Sequence, residues 1–255
     1  MSASPDKGEH IGVLVLVASL ALLVLTATVA SAAVGVNLRW TNCFGDAGVS
    51  QRAFACNSNT GSNVLAASLE LASDLPQGAA VQVKIDLATS GASLPDWWKF
   101  FNAGNCRLTA LSAAAQDGTN CPDWALGLAS ISIAGYNEGA VGGPNTAEIN
   151  IANAVSLNQV QDLVAGQEYG VVRLTISNTK TVGTGSCAGC TDAACIIVQS
   201  VDVLSAVDNG ALHILLDGPA NGTDSNVVTW QSATECPAGN GTQNVTWGQI
   251  RALMR

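Results

Sequence analysis

Histidine and basic side chains are scarce in this 255-residue chain, which has two histidines and ten Lys and Arg together against 19 Asp and Glu. Phosphate backbones demand clustered cations, so this balance excludes a nucleic-acid partner. The acidic residues are scattered singly, which suits solubility. Only His213 lies beyond the amino-terminal leader, inside the apolar run ALHILL (211–216), where a core or sheet-face role fits better than a general base. Patterns of the GxSxG, HExxH or P-loop kind are missing as well. No Pro-rich, Gly/Ser-rich or charge-dense linker interrupts the body, so residues 33–255 read as a single domain. Glu138 and Glu148 flank the glycine-rich segment 139–143 and could in principle cleave a glycoside. Many other pairs among the acidic residues look as good, so a carbohydrate-active enzyme is the alternative reading only.

What the chain does have begins with charge-free length. Residues 11–38 carry no charge. Residues 11–32 (IGVLVLVASLALLVLTATVASA) end in small residues, and Ala30-Ser31-Ala32 forms an A-x-A cleavage pattern that places the mature start at Ala33. The run is also long enough to span a bilayer. A cleaved signal peptide and a retained membrane anchor therefore both stay open, and either puts residues 33–255 outside the cytoplasm. A membrane partner is expected only through residues 11–32, if uncleaved. Losing Asp6, Lys7 and Glu9 with the leader takes 19 acidic and ten basic residues to 17 and nine, a net charge of about −8.

The body reads as all-β, an antiparallel sandwich of the immunoglobulin or jelly-roll kind. Strand patterns occupy 79–88, 126–134, 146–151, 169–177, 195–204, 211–216 and 226–230. In the first, Val81, Val83, Ile85 and Leu87 alternate with Gln82, Lys84 and Asp86, which means one buried face and one wet face. Segments 195–204 and 211–216 are the most continuously apolar and are expected as central strands. Asp208-Asn209-Gly210 and Asp217-Gly218-Pro219 supply hairpin chemistry, and Gly142-Gly143-Pro144 supplies a break. Ser156 to Gln159 has capping-box spacing ahead of a turn or two of helix. Thr246 and Gln249 open a short terminal helix over 247–254.

Eight cysteines in an exported chain argue for disulfides. Spacing suggests Cys43 with Cys56 and Cys106 with Cys121, each closing a loop near the size worth about 3 kcal/mol. Cys187, Cys190, Cys195 and Cys236 remain, and one of the clustered three must reach Cys236. The competing expectation is a zinc site made of these four thiolates.

Two segments stand out as candidate binding sites. LPDWWKFF (94–101) concentrates Trp97, Trp98, Phe100 and Phe101 in a chain of 12 aromatic residues. If extended, adjacent tryptophans point to opposite faces, leaving one exposed to stack on a sugar or anchor a protein. Alternatively, both plug an open end of the sandwich. The second segment, 217–226, offers calcium the oxygens of Asp217, Asn221, Asp224 and Asn226, although turns use the same residues. Glycosylation sequons occur at Asn221, Asn240 and Asn244.

Taken together, RWTNC (39–43), ACNSNTGS (55–62), LPDWWKF (94–100), NAGNCR (102–107), CAGC (187–190) followed by Cys195 to Val198, and the ending TWGQIRALMR resemble a group of uncharacterised exported bacterial proteins. The resemblance covers nearly all of the mature chain. It implies a bacterial exported origin, and no activity or functional residue. The expectation is therefore a non-catalytic binding or structural module at the cell surface or outside the cell. Its expected partner is a glycan, another surface protein or itself.

Overall fold

Valine, isoleucine and leucine at every second position of residues 81–87 separate one face of a strand from the other, and this row becomes the inner wall of a sandwich. The computed structural model describes residues 34–207 and 212–231, all of which belong to one compact unit. The first sheet runs β1 (Gly35–Trp40), β3 (Ser62–Glu70), β9 (Glu168–Ser177), β5 (Leu111–Ala114). The second runs β2 (Gln51–Arg52), β12 (Val227–Trp230), β10 (Ala194–Ser205), β4 (Leu75–Thr89), β7 (Thr146–Ala154), β6 (Ser130–Glu138). In addition, β11 (His213–Leu216) pairs with β10, and β8 (Gln161–Leu163) pairs with β4. Every pairing is antiparallel except β2 with β12.

Val81, Val83, Ile85 and Leu87 are at most 2 % exposed and face Leu38, Leu65, Leu69 and Leu174 within one core. Each such side chain stabilises the fold by about 1.5–3 kcal/mol. Gln82 and Lys84 point outward as the alternation requires, whereas Asp86 shares their row and is buried.

The two flanks of the sandwich differ. On one, β1 lies beside β10 and β12, and its outer edge is sealed by residues 218–225. Val36 N donates to Gly218 O at 2.8 Å, Leu38 N to Ser225 O at 2.7 Å, and Ala220 N to Val36 O at 3.0 Å. On the other, β5 lies beside β6, and among the described residues no further strand pairs with either.

Several strand expectations shift. The strand expected over 126–134 becomes β6, starting only at Ser130, because Leu126 and Gly127 take positive φ (52° and 78°) in a turn closed by Leu128 N on Ala125 O. Segment 211–216 is not central: β11 has four residues, largely exposed, beside the end of β10. The helical turn expected after Ser156 is a simple turn, with Gln159 N on Ser156 O at 2.8 Å, and the chain then enters β8. The break at residues 142–144 joins β6 to β7. Asp217-Gly218-Pro219 makes no hairpin but crosses to β1 in the other sheet. The leader, Asp208-Asn209-Gly210, the terminal helix over 247–254 and Cys236 lie outside the described residues.

The local disulfide pairings are overturned. The bridges are Cys43–Cys121, Cys56–Cys190 and Cys106–Cys187, with sequence separations of 78, 134 and 81 residues. Cys195 is disulfide-bonded too. The four-thiolate zinc expectation falls with them, since Cys187 and Cys190 bond different partners. Short spacing favours local closure in an unfolded chain, but folding brings distant loops together, Cys43 and Cys121 beside Glu168 at the start of β9 and Cys187 near Lys180 beyond its end, and that proximity decides the pairing.

Candidate functional site

Pro95 introduces a 3-10 turn over Asp96–Trp98. In such a turn successive side chains lie about 120° apart rather than on opposite faces, so both tryptophans enter the molecule. Trp97 is 0 % and Trp98 1 % exposed. This corrects the expectation that one indole is left outside as a ligand anchor, and it matches the alternative in which both plug the sandwich end.

They join a cluster drawn from both sheets. Trp97 stacks on Trp230 at 5.0 Å and meets Trp98 edge-on at 4.9 Å, while Trp230 also contacts Trp40 at 5.8 Å and Phe54 at 6.0 Å. Phe100 continues the array to Tyr136. Four polar edges find partners, Trp97 Nε1 donating to Thr181 Oγ1, Trp230 Nε1 to Cys190 O, Trp40 Nε1 to Thr229 O and the Tyr136 hydroxyl to Trp98 O, whereas Trp98 Nε1 is buried without an acceptor among the described residues. Ring contacts of this kind add about 0.5–1.5 kcal/mol each beyond burial.

Arg107, directly after Cys106, is buried at the centre. Its guanidinium sits 3.7 Å from the Trp97 centroid and donates to Trp97 O at 2.7 Å, Thr179 O at 3.1 Å and Ser177 O. Burial pulls its pKa down to about 9. Three carbonyl acceptors and the ring face hold the charged form against that penalty. The loop that carries Cys187 and Cys190 closes on the same turn, where Trp97 N donates to Ala188 O. A side chain at Gly189 (φ +100°) would meet Pro95 Cβ at 2.1 Å.

A second cluster lies on the outer face of the first sheet and was not legible as a site. Glu70 and Glu168 stand directly opposite each other on β3 and β9, both nearly buried. Glu168 accepts from Gly45 N at 2.7 Å, Phe44 N at 3.1 Å, Asn37 Nδ2 at 3.3 Å and Ser68 Oγ. Glu70 accepts from Asn221 Nδ2. The carboxylates therefore pin two loops, one around Cys43 and one around Asn221, over the sheet. Cys43, Cys121 and Glu168 form the one set of three potential metal-ligating side chains grouped among the described residues, but the two sulfurs are bonded to each other. Nearby Arg39 lies 5.0 Å over the Phe44 ring. Burial lowers its pKa, opposed by the charges of Glu168 and Asp224. The only sequence signal for this cluster was a pair of glutamates at strand ends.

The remaining sequence candidates separate. Asp217 and Asp224 are exposed, while the Asn221 amide also reaches Asn37 Oδ1, and Asn226 turns inward to Val198 O. Attachment of a glycan at Asn221 conflicts with the contact to Glu70. Glu138 and Glu148 do not converge: Glu138 stands opposite Ala147 and Glu148 opposite Asn137, on alternate faces. Glu138 accepts from Asn105 at 2.7 Å, and Glu148 pairs with Lys84 at 3.4 Å. Burial pushes the Glu148 carboxyl up, but Asn150, Lys84 and Asn137 pull it below the usual range. His213 lies on a sheet face, with Nδ1 3.0 Å from Asp202 Oδ1.

The structure defines a disulfide-stapled all-β sandwich with its aromatic payload inside. Among the described residues no helix is long and apolar enough to cross a membrane. No protein-family model, curated protein or solved structure matches this chain.

Proposed function

We propose that residues 33–255 act outside the bacterial cytoplasm as a non-catalytic structural or binding module. The observation that carries this reading is the cysteine chemistry: all seven described cysteines are in disulfides, and the three bridges resolved here join distant segments. Such bridges persist in oxidising compartments, and the apolar leader supplies the route there. The candidate residues add support. Trp97, Trp98 and Arg107 are consumed by packing, and the buried carboxylates by loop anchoring. A glycan stacked on Trp97 or Trp98 loses its support for the same reason.

Expression with the leader, followed by fractionation and intact mass with and without reduction, tests the reading. An extracytoplasmic chain beginning at Ala33, or anchored through residues 11–32, that gains eight protons on reduction is expected. A cytoplasmic chain with free thiols overturns it.

A further inference from the structure

The segment QDGTNCPD (116–123) carries oxygen atoms that the fold buries without supplying a donor. Asp123 is 2 % exposed and Gln116 4 %. Asp123 Oδ2 caps the turn that follows, accepting from Gly127 N and Ala125 N. Its other oxygen, Oδ1, is buried with no hydrogen-bond partner among the described residues, and so is Gln116 Oε1. Leaving such atoms unpaired is costly, and most of all for a charged one.

Strand β9 brings the two together. Asp123 pairs with Gly170 in a parallel bridge, made by Gly170 N on Pro122 O at 2.9 Å and Trp124 N on Gly170 O at 3.1 Å. Paired residues send their side chains to the same face. A Cβ at Gly170 would meet Gln116 O at 2.3 Å and Gln116 Cγ at 2.9 Å, so Gln116 fills the space beside Asp123 that the glycine leaves. Asp117 follows, and its Oδ1 accepts from Asp123 N at 3.4 Å. No Lys or Arg occurs between Arg107 and Arg173, and no ion pair reaches Asp117 or Asp123 among the described residues.

We propose that this segment holds a calcium ion, with Asp123 Oδ1 and Gln116 Oε1 as buried ligands and the exposed Asp117 carboxylate closing the site. Two carboxylates and an amide oxygen suit a hard divalent cation. Calcium fits better than magnesium, because the buried oxygens need direct contact and magnesium gives up its waters reluctantly. The ion ties the chain around Cys121 to the start of β9. It is distinct from the segment 217–226, whose oxygens separate. Burial, and after the opposing amides the charge of Asp117, push the Asp123 carboxyl up, so a proton competes for Oδ1 in the ion-free chain. A proton leaves Asp117 without a role, whereas the ion uses both carboxylates.

Isothermal titration calorimetry of the full chain, stripped with EDTA and titrated with calcium chloride near neutral pH, tests this. One-to-one binding is expected with a Kd of about 10⁻⁴–10⁻³ M, weakened about ten-fold or more by Asp117→Asn and by Asp123→Asn. Asp117 is exposed, so its variant carries the test even where Asp123→Asn fails to fold. Asp217→Asn combined with Asp224→Asn should leave binding unchanged. No saturable heat at millimolar calcium overturns the proposal, as does binding that Asp117→Asn leaves intact or that is lost with Asp217 and Asp224. Magnesium binding as tightly as calcium overturns it too.

Discussion

The guanidinium of Arg107 is centred 3.7 Å from the ring of Trp97 and donates to the backbone oxygen of the same residue at 2.7 Å. One buried cation thus fixes the position of the tryptophan that stacks on Trp230, and through Ser177 O and Thr179 O it also fixes the exit of β9. Arg107→Met should cost about 3–5 kcal/mol, because the buried Trp97 carbonyl and the part-buried Ser177 and Thr179 carbonyls lose their donor together with the ring contact. Arg107→Lys keeps the charge but lacks the planar fork, so it should recover only part of the loss. Denaturant unfolding with disulfides intact measures both. A loss below about 1 kcal/mol for Arg107→Met contradicts this role.

Trp97→Ala and Trp98→Ala should each destabilise by about 3–5 kcal/mol through the cavity left in a packed cluster. Thermal or denaturant unfolding reads this directly. Near-neutral stability in either variant shows that the ring is not part of the core.

Glu168→Gln tests the second cluster. Glutamine keeps one acceptor but presents an NH₂ group to a site whose partners are all donors, so at least one charged hydrogen bond worth about 1.5–3 kcal/mol is lost. Hydrogen exchange at Gly45 and Phe44 should accelerate beyond the change at strand amides of β3. Equal acceleration throughout means global destabilisation, not release of the loop.

Burial raises the Asp123 carboxyl above its ordinary range, against donations from Gly127 and Ala125 that lower it. The folded state therefore binds a proton more readily than the unfolded chain. Its contribution is fully present below the ordinary carboxylate pKa and declines as pH rises through the folded value. Asp123→Asn, which keeps an acceptor for the two amides, should gain stability relative to the parent on going from acid to neutral pH. A constant difference across that range contradicts the shift.

Cys56 and Cys190 close the longest bridged loop, with a separation of 134 residues. Replacing both with serine should cost about 2–5 kcal/mol. Peptide mapping of the oxidised protein should recover Cys43 with Cys121, Cys56 with Cys190 and Cys106 with Cys187. Fragments joining Cys43 to Cys56 contradict this connectivity.

Alternation in the sequence was sufficient to show the all-β class and the strands β4, β7, β9, β10 and β12, because a half-buried strand carries its period of two locally. The same period was present in β1, where Val36, Leu38 and Trp40 alternate with Asn37 and Arg39, but it is masked by continuity with the apolar leader. Strand β3 carries Ala66, Ala67 and Ser68 at its centre, too small to announce a face. Cysteine number and the leader were likewise enough to anticipate disulfides. Tertiary structure alone decided which sulfurs meet, that Trp97 and Trp98 both turn inward, that Glu70 and Glu168 stand side by side, and which strands lack a neighbour. Each of these depends on residues far apart in the chain being brought together by the stacking of two sheets, and spacing along the sequence carries no record of that approach.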